Sequence, residues 1–180
     1  MNKTEIGFQP ELRDLSLVHR LDRETSGCLV LAKRRSALRA LQALQRENAI
    51  AKRYQALLLG RIRRDTWRID LPLQKNTLSS GERLVRVDPG GKSAATRFAV
   101  LRRYEGATLV SAELETGRTH QIRVHALAGG HPILGDPKYG DDAANRDFRK
   151  LGLRRLFLHA SDVAFTWPEG RGRVEVSAPI

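Results

Sequence analysis

The densest polar cluster in the first quarter of the chain surrounds Asp22. The segment reads His19-Arg20-Leu21-Asp22-Arg23-Glu24-Thr25-Ser26-Gly27 and stands directly before the apolar run Cys28-Leu29-Val30-Leu31-Ala32. We therefore expect a loop that leads into a strand of a sheet. Asp22 lies between Arg20 and Arg23, and a carboxylate beside guanidinium groups is held ionised, as a nucleophile or a base requires. A surface ion-pair cluster would show the same pattern, because neighbouring opposite charges are common.

A second cluster, Thr116-Gly117-Arg118-Thr119-His120-Gln121-Ile122-Arg123-Val124-His125, starts where a predicted strand ends and a predicted helix begins. The N-terminus of a helix attracts anions. Arg118, His120 and Gln121 could therefore contact a phosphodiester backbone, while Arg123 could point inward to meet a buried carboxylate. The alternative is a basic helix face that only caps the sheet.

A third candidate is the tyrosine of Lys52-Arg53-Tyr54, which follows a basic pair at the start of a predicted strand. The Tyr54 ring could stack on a nucleobase, and such stacking contributes about 1–3 kcal/mol per base. Most tyrosines in strands are instead core residues with a solvated hydroxyl group. Taken alone, Tyr54 does not distinguish the two interpretations.

Several motifs that would indicate other chemistry are incomplete. Gly90-Gly91-Lys92-Ser93 resembles the end of a phosphate-binding loop, but that loop needs a glycine where this chain has Arg86. The five histidines include no HExxH pair, and Cys28 has no CxxC partner, so a zinc site is not predicted. Ser26 lacks the preceding glycine of a nucleophile elbow.

The elements that must position these residues form an α+β pattern. Helices are predicted over 36–47 and 119–128, and a Gly/Pro-punctuated loop over 131–140. The clearest predicted strands are 28–32, 54–59, 83–87, 108–114, 155–159 and 173–177. Short alternating strands and turns between residues 61 and 115 favour a mixed, largely antiparallel sheet core with flanking helices.

Composition limits the class of protein. The 180 residues carry 32 Lys and Arg against 20 Asp and Glu, a formal charge of +12, which favours binding to a polyanion, most commonly nucleic acid. With 41% hydrophobic residues the chain can form a real core. A single cysteine and the lack of an apolar stretch of roughly 20 residues favour a soluble, cytoplasmic protein that makes no contact with a membrane.

The three clusters, in this order, closely resemble the signature blocks of the RluA-type RNA pseudouridine synthases. The matching blocks are 19–27, 52–57 and 117–125, and later blocks at 131–140 and 155–160 are similar as well. The resemblance covers roughly residues 17–178. It implies the α+β pseudouridine synthase fold with a central catalytic cleft, and isomerisation of chosen uridines in RNA without cofactor or metal.

The resemblance also implies roles for individual residues. Asp22 matches the essential aspartate of the family, as nucleophile at the ribose C1′ or as base at C2′. Tyr54 matches the pocket tyrosine that packs on the uracil, and Arg123 matches the arginine that pairs with the catalytic carboxylate. These three side chains are therefore expected to converge.

Further residues are expected to contact the substrate. Arg20 matches an arginine that fills the space left by a flipped-out nucleotide, and Ile122 is expected to form an apolar wall of the base pocket. Arg118, His120, Gln121 and Lys138 are candidates for RNA contacts because of their charge or polarity and their location.

The resemblance has a finer level and one departure. Ser80-Gly81-Glu82-Arg83 and the block 91–98 look most like members that modify 23S, or large-subunit, rRNA, so that RNA is the expected partner of a monomeric protein. We expect residues 1–16 to form a flexible lead-in and residues 17–180 to form the catalytic domain. The N-terminal S4-type RNA-binding domain that is usual in the family is not expected in this sequence.

Two other functions are compatible with the same residues. A non-catalytic rRNA-binding or ribosome-assembly domain would keep the fold and the charge. Glycoside hydrolysis would need a second acid within roughly 5–10 Å of Asp22, for which Asp136 is the least unsuitable candidate.

Overall fold

A computed structural model of the protein describes residues 15–77, 83–170 and 172–180. Most of the predicted lead-in and residues 80–82 of the subtype block lie outside these ranges. The strands are β1 (Ser16–Leu17), β2 (Ser26–Gly27), β3 (Leu31–Ala32), β4 (Ala51–Leu59), β5 (Thr66–Asp70), β6 (Leu73–Thr77), β7 (Arg83–Val87), β8 (Ala95–Tyr104), β9 (Ala107–Leu114), β10 (Leu158–Thr166) and β11 (Arg173–Ser177). The helices are α1 (Arg35–Arg46), α2 (Gln121–Ala128) and α3 (Asp142–Lys150).

Seven strands form the central sheet, in the order β11-β10-β4-β9-β8-β5 with β2 beside β10. All of its pairs are antiparallel except β2 with β10, which is parallel. The pairs β1-β3 and β6-β7 form two small separate sheets. This arrangement confirms the predicted α+β class with a mixed, largely antiparallel sheet.

Strand β4 shows how the sequence selects the buried face of the sheet. Side chains alternate between the two faces of a strand, and Tyr54, Ala56 and Leu58 all point into the main core. There they pack with Phe98, Val110 and other side chains of neighbouring strands. Tyr54 is the last of these inward positions toward the start of the strand, where the core meets the Asp22 loop.

Helix α2 is enclosed on both sides, which explains its composition. Residues 121–126 are all buried. Ile122 packs into the core of the central sheet, whereas Val124 packs with Leu73 and Val85 of the β6-β7 pair. A helix covered on opposite faces needs apolar or internally paired side chains all round, so that a charged residue here, such as Arg123, must find its partner inside the protein.

Several predicted boundaries were wrong, for local reasons. Only Leu31–Ala32 of the predicted strand 28–32 is a strand, because the Cys28 N–H donates to Ala160 of β10 (2.8 Å) while Val30 bonds to Val18 (3.2 Å). The predicted strand 155–159 begins at Leu158 and continues to Thr166. Helix α3 was not predicted, because none of its residues is buried and its apolar stripe consists only of the half-buried Ala144 and Phe148.

In the described part of the chain, no helix is both long enough and apolar enough to span a membrane.

Candidate active site

The loop that carries Asp22 is anchored at both ends. At its start, the Val30 N–H donates to Nε2 of His19 (3.2 Å). At its end, Gly27 of β2 packs so closely on β10 that an added Cβ atom would lie 2.2 Å from the carbonyl oxygen of Ala160. Between these points the Thr25 N–H donates to the carbonyl oxygen of Asp22 (3.0 Å), which closes a turn. The sequence thus fixes the position of Asp22 although the residue lies in a loop.

Asp22 faces a cleft of about 300 Å³, at the small end of the range for ligand pockets. The cleft lies between the Asp22 loop, the start of β4 and the start of α2. The predicted site residues that line it are Arg20, Asp22, Tyr54, Arg118, His120, Gln121, Ile122 and Arg123. The predicted convergence of Asp22, Tyr54 and Arg123 is therefore present in the structure.

Arg123 lies between two carboxylates. Its Nε and Nη2 atoms donate to the two carboxylate oxygens of Asp136, each at 2.7 Å. Its Nη1 atom donates to Oδ2 of Asp22 at 3.4 Å, across 101 positions of sequence. The guanidinium carbon also lies 4.9 Å from the centre of the Tyr139 ring. Asp136 therefore fixes the plane of the guanidinium, and Asp22 receives the remaining, longer contact.

Asp136 is the structural partner, because its side chain is fully buried. Burial alone would raise the pKa of Asp136, but the hydrogen bonds and charge of Arg123, with the N–H groups of Lys138 and Tyr139, lower it overall. Burial likewise opposes the charge of Arg123, and the contacts with Asp136 and Asp22 outweigh it, so that the pKa of Arg123 is raised. Both groups are ionised at neutral pH.

Asp22 is the more accessible carboxylate of the pair, with 21% of its side chain exposed against 0% for Asp136. One guanidinium shared by two carboxylates leaves the negative charge of Asp22 only partly compensated. The Asp22 oxygens therefore remain available to a group that enters the cleft.

His120 presents its second ring nitrogen to Asp22. The hydroxyl oxygen of Tyr139 accepts from the Val85 N–H (2.9 Å) and lies 2.8 Å from Nδ1 of His120. Because the Asp22 carboxylate beside Nε2 only accepts, we assign the imidazole hydrogen to Nε2, which leaves Nδ1 to accept from the Tyr139 hydroxyl. Nε2 lies 4.0 Å from Oδ1 of Asp22.

The His120 ring is kept uncharged at neutral pH. Burial lowers its pKa, and the nearby Arg123 and Lys138 charges act in the same direction against Asp22 and Asp136. A neutral imidazole can offer one N–H group toward Asp22 without adding a second cation. Arg123 is therefore the cation that contacts the accessible carboxylate.

Tyr54 forms an inner wall of the cleft. The residue is only 8% exposed, and burial, together with the charge of Asp22, raises the pKa of its hydroxyl to about 12. Tyr54 is therefore a neutral phenol at physiological pH. Its ring belongs to the main core as well, so that it connects the cleft to the sheet.

The RNA contact predicted for Gln121 does not fit its position, because the residue is 2% exposed and its amide is used inside the protein. The Nε2 atom donates to the Ala95 carbonyl and to Thr96 Oγ1, while Oε1 accepts from the Arg118 N–H and the Thr116 hydroxyl. Gln121 thus joins the start of α2 to β8. An amide suits this place because it both donates and accepts.

The other predicted contact residues differ in location. Ile122 is buried and lines the cleft, as an apolar wall would. Arg20 and Arg118 are exposed at its rim, and Nε of Arg118 donates to the Ser93 carbonyl (3.0 Å). Lys138 is half-buried in the loop that carries Asp136, beside His120 rather than in the lining of the cleft.

Sequence reasoning missed Asp136 as the partner of Arg123 and Tyr139 as part of the site. Both lie in the loop 131–140, where Asp136 was considered only as a possible second acid and Tyr139 was given no role. The available signal was the aspartate itself. In a loop, an aspartate often accepts hydrogen bonds from the backbone N–H groups two and three positions later, which here belong to Lys138 and Tyr139. The spacing of residues in the sequence does not show that this loop returns beneath α2, because that contact depends on the tertiary structure.

The arrangement limits the possible chemistry. Asp136 cannot serve as the general acid of a glycosidase, because it is buried and held ionised by Arg123. Among the described residues, no group of three His, Cys, Asp or Glu side chains is placed to hold a metal ion. What the cleft offers is one accessible carboxylate, a neutral phenol, a neutral imidazole and a fixed guanidinium.

Comparison with known sequences identifies similar proteins. The sequence model of a family described as RNA pseudouridylate synthase matches residues 2–128. Ribosomal large subunit pseudouridine synthase C of Pasteurella multocida is 51% identical over 173 residues, which are 96% of this chain and 53% of that protein. The protein of the same name from Escherichia coli is 51% identical over 176 residues and is covered to 55%. The chain thus spans about half the length of the curated relatives it matches.

Solved structures give the same result for the fold. Human RNA Pseudouridylate Synthase Domain Containing 1 matches with a TM-score of 0.79 at 30% identity, over 92% of this chain and 69% of that one. Human RNA Pseudouridylate Synthase Domain Containing 4 matches with a TM-score of 0.73 at 29% identity, over 92% and 71% of the two chains.

Proposed function

The chain belongs to the RNA pseudouridylate synthase family, and from this premise we propose that it isomerises uridine to pseudouridine in RNA within the cleft around Asp22. The names of its relatives support large-subunit, or 23S, rRNA as the substrate. The formal charge of +12 suits a polyanionic partner. In this proposal the protein acts in the cytoplasm as a monomer, without metal or cofactor.

The observation that carries the proposal is the meeting of three side chains that are distant in sequence. Asp22 is accessible in a cleft of about 300 Å³, Nη1 of Arg123 lies 3.4 Å from its carboxylate, and the Tyr54 ring lines the same cleft. A cleft this small admits a single nucleotide but not a duplex, so that the target base must leave its stack to enter.

The proposed reaction is balanced without a co-reactant. The bond from C1′ to N1 of uracil breaks, the base turns within the cleft, and a bond from C1′ to C5 forms. The C5 proton is lost and N1 ends protonated. Asp22 assists by attacking C1′ or by removing the C2′ proton, and either role needs the accessible carboxylate described above.

The surrounding residues have supporting roles in this scheme. Arg123, held by Asp136, fixes the Asp22 carboxylate and limits its motion, while Tyr54 and Ile122 pack on the base and keep water away from it. In this scheme the neutral hydroxyl of Tyr54 exchanges a proton with the base. Arg20, at the rim, occupies the space that the flipped nucleotide leaves in the RNA.

The proposal is tested by nucleoside analysis of unmodified 23S rRNA transcripts after incubation with the protein. Chromatography of the digested RNA separates pseudouridine from uridine. We expect product from the wild type and none from Asp22→Asn, with the dissociation constant for RNA changed less than about threefold. Glu24→Gln is the matched control, because it removes an exposed carboxylate from the same loop, and it should keep its activity.

The same experiment separates the rival function. If the wild type binds the transcript but forms no pseudouridine, the chain acts as an RNA-binding domain without catalysis. If Asp22→Asn remains active, the carboxylate is not essential and the proposed mechanism is wrong.

A further inference from the structure

A second groove, of about 530 Å³, opens beside the active-site cleft. It lies between the β6-β7 pair and the loop that precedes α2. The side chains that matter for its chemistry are Lys75, Lys92 and Arg118. The described residues that line this groove include no Asp or Glu, so that its charge is uniformly positive.

The groove is continuous with the cleft. Gly117, Arg118 and Thr119 line both of them. A chain that leaves the cleft over this three-residue junction therefore enters the groove directly. Gly117 and Thr119 are small, and Nε of Arg118 donates to the Ser93 carbonyl (3.0 Å).

The lysines of the groove stand on a fixed framework. Leu73 and Lys92 exchange two backbone hydrogen bonds of 2.9 Å each, which joins the turn before β8 to strand β6. The turn lies so close that a Cβ atom on Gly91 would be 2.5 Å from the carbonyl carbon of Leu73. Only glycine allows this approach, and it holds Lys92 beside β6.

Lys75 extends from the same surface. It is paired with Val85 across β6-β7 and shares a face with Leu73, two positions earlier. Leu73 and Val85 are buried in a cluster with Val124 of α2, whereas Lys75 is exposed. The apolar part of this face attaches the strand pair to α2, and Lys75 projects beyond it at the groove.

We propose that this groove binds the single-stranded RNA segment next to the target nucleotide, through its phosphates. The inference rests on the proposed function and adds to it the path of the RNA strand. Lys and Arg side chains donate hydrogen bonds and accept none, so that they suit phosphate oxygens, and contacts to phosphate carry no sequence information. A cleft that takes one nucleotide requires the neighbouring backbone to run along its rim, and this groove is a basic path from that rim.

The test uses Lys75→Gln/Lys92→Gln, with Lys33→Gln/Lys150→Gln as the matched control. The control removes the same charge from exposed lysines outside the groove. All binding is measured in the full chain carrying Asp22→Asn, so that no turnover interferes. The probes are a fluorescein-labelled 12-nucleotide single-stranded oligouridylate and a 12-base-pair RNA duplex, with anisotropy read between 50 and 300 mM salt.

Two lost phosphate contacts should reduce the slope of log affinity against log salt by about 1.4, since each contact to a single strand contributes about 0.7. At 0.1 M salt this corresponds to a loss of affinity of about 25-fold for the single strand. The control pair should change the slope by less than about a third of that. Circular dichroism should show the same fold for both double variants.

Three results would overturn the inference. One is a groove variant that binds the single strand like the control variant. Another is a loss of affinity confined to the duplex, which would assign the surface to double-stranded RNA. The third is an Asp22→Asn chain with an intact groove that does not bind the oligouridylate at all. If the groove variant behaves as expected while the wild type forms no pseudouridine, the proposed function fails and the RNA path stands.

Discussion

Replacing Asp136 with Asn should destabilise the protein strongly, although the two side chains have the same size. In the native protein the buried guanidinium of Arg123 donates to both oxygens of Asp136, each at 2.7 Å. The substitution removes this bidentate partner. Breaking a buried ion pair from one side reduces stability by about 3–5 kcal/mol. Because Asn keeps one acceptor oxygen, we expect a loss near 3 kcal/mol, a large part of the total stability of an ordinary domain.

Urea unfolding followed by the fluorescence of Trp67 and Trp167 measures this change. The midpoint should fall with an unchanged m-value. Glu115→Gln is the matched control, because Glu115 also accepts from two arginines, but at the exposed surface. Exposed ion pairs contribute little, so that this control should stay close to the wild type.

The pH dependence of the Asp136 effect has a defined sign. The folded pKa of Asp136 lies below its ordinary value of 3.8. Its contribution to stability is therefore fully present above pH 3.8 and is lost as pH falls through the lower folded value. The difference between wild type and Asp136→Asn should be constant from about pH 5 to pH 8 and should shrink below about pH 4.

Catalysis should respond as well, because Asp136 orients the Arg123 group that contacts Asp22. We expect the single-turnover rate of pseudouridine formation to fall at least about tenfold, since misplacing a catalytic group by 1 Å can reduce the rate about 100-fold. RNA affinity should change less than about twofold. A stability loss below about 1 kcal/mol with an unchanged rate would refute the argument that Asp136 holds Arg123 in place.

Three further changes test other parts of the site. Tyr54 should ionise near pH 12, measured as the difference in absorbance at 295 nm between the wild type and Tyr54→Phe. The midpoint of this ionisation should decrease in Asp22→Asn. A midpoint near 10 in the wild type would show that the ring is not buried. Since this pKa is raised on folding, the contribution of Tyr54 to stability is present below pH 10 and is lost toward pH 12. Tyr139→Phe removes the hydroxyl that sets the tautomer of His120 and should lower the single-turnover rate about three- to tenfold with unchanged RNA affinity, whereas an unaltered rate would remove His120 from the account. Gly135→Ala should lower stability by at least about 2 kcal/mol in urea unfolding, because its φ is +78° and a Cβ atom would lie 2.1 Å from a backbone carbonyl oxygen; a neutral effect would contradict this backbone geometry.

The meeting of Asp22, Tyr54 and Arg123 could be predicted from the sequence because each residue stands in a long and specific block. The fold class followed from periodicity, since β4 alternates and its neighbours are bounded by turn residues. Hydrogen bonds that form because a whole element is buried could not be predicted in the same way. Gln121 looked like a surface residue at a helix start, and only the burial of α2 on both sides turns its amide inward.

Asp136 is a second residue whose role could not be predicted from the sequence. Its residue type was noted only as a possible second acid, and its role depends on a loop that returns beneath a helix thirteen positions earlier in the chain. Helix α3 escaped prediction because pattern reading relies on a buried stripe, and Asp142–Lys150 has none. Its remaining signal was the N-cap Asp141, whose side chain accepts from the Ala144 N–H (2.8 Å).

The most direct test of the central claim follows the hydrogen that leaves C5. The substrate is 23S rRNA transcribed with uridine that carries tritium at C5, and the measurement is tritium released to water by the wild-type chain and by Asp22→Asn. We expect the wild type to release tritium in one-to-one proportion to the pseudouridine formed, and Asp22→Asn to release none although it binds the RNA. Release by Asp22→Asn at the wild-type rate would contradict it.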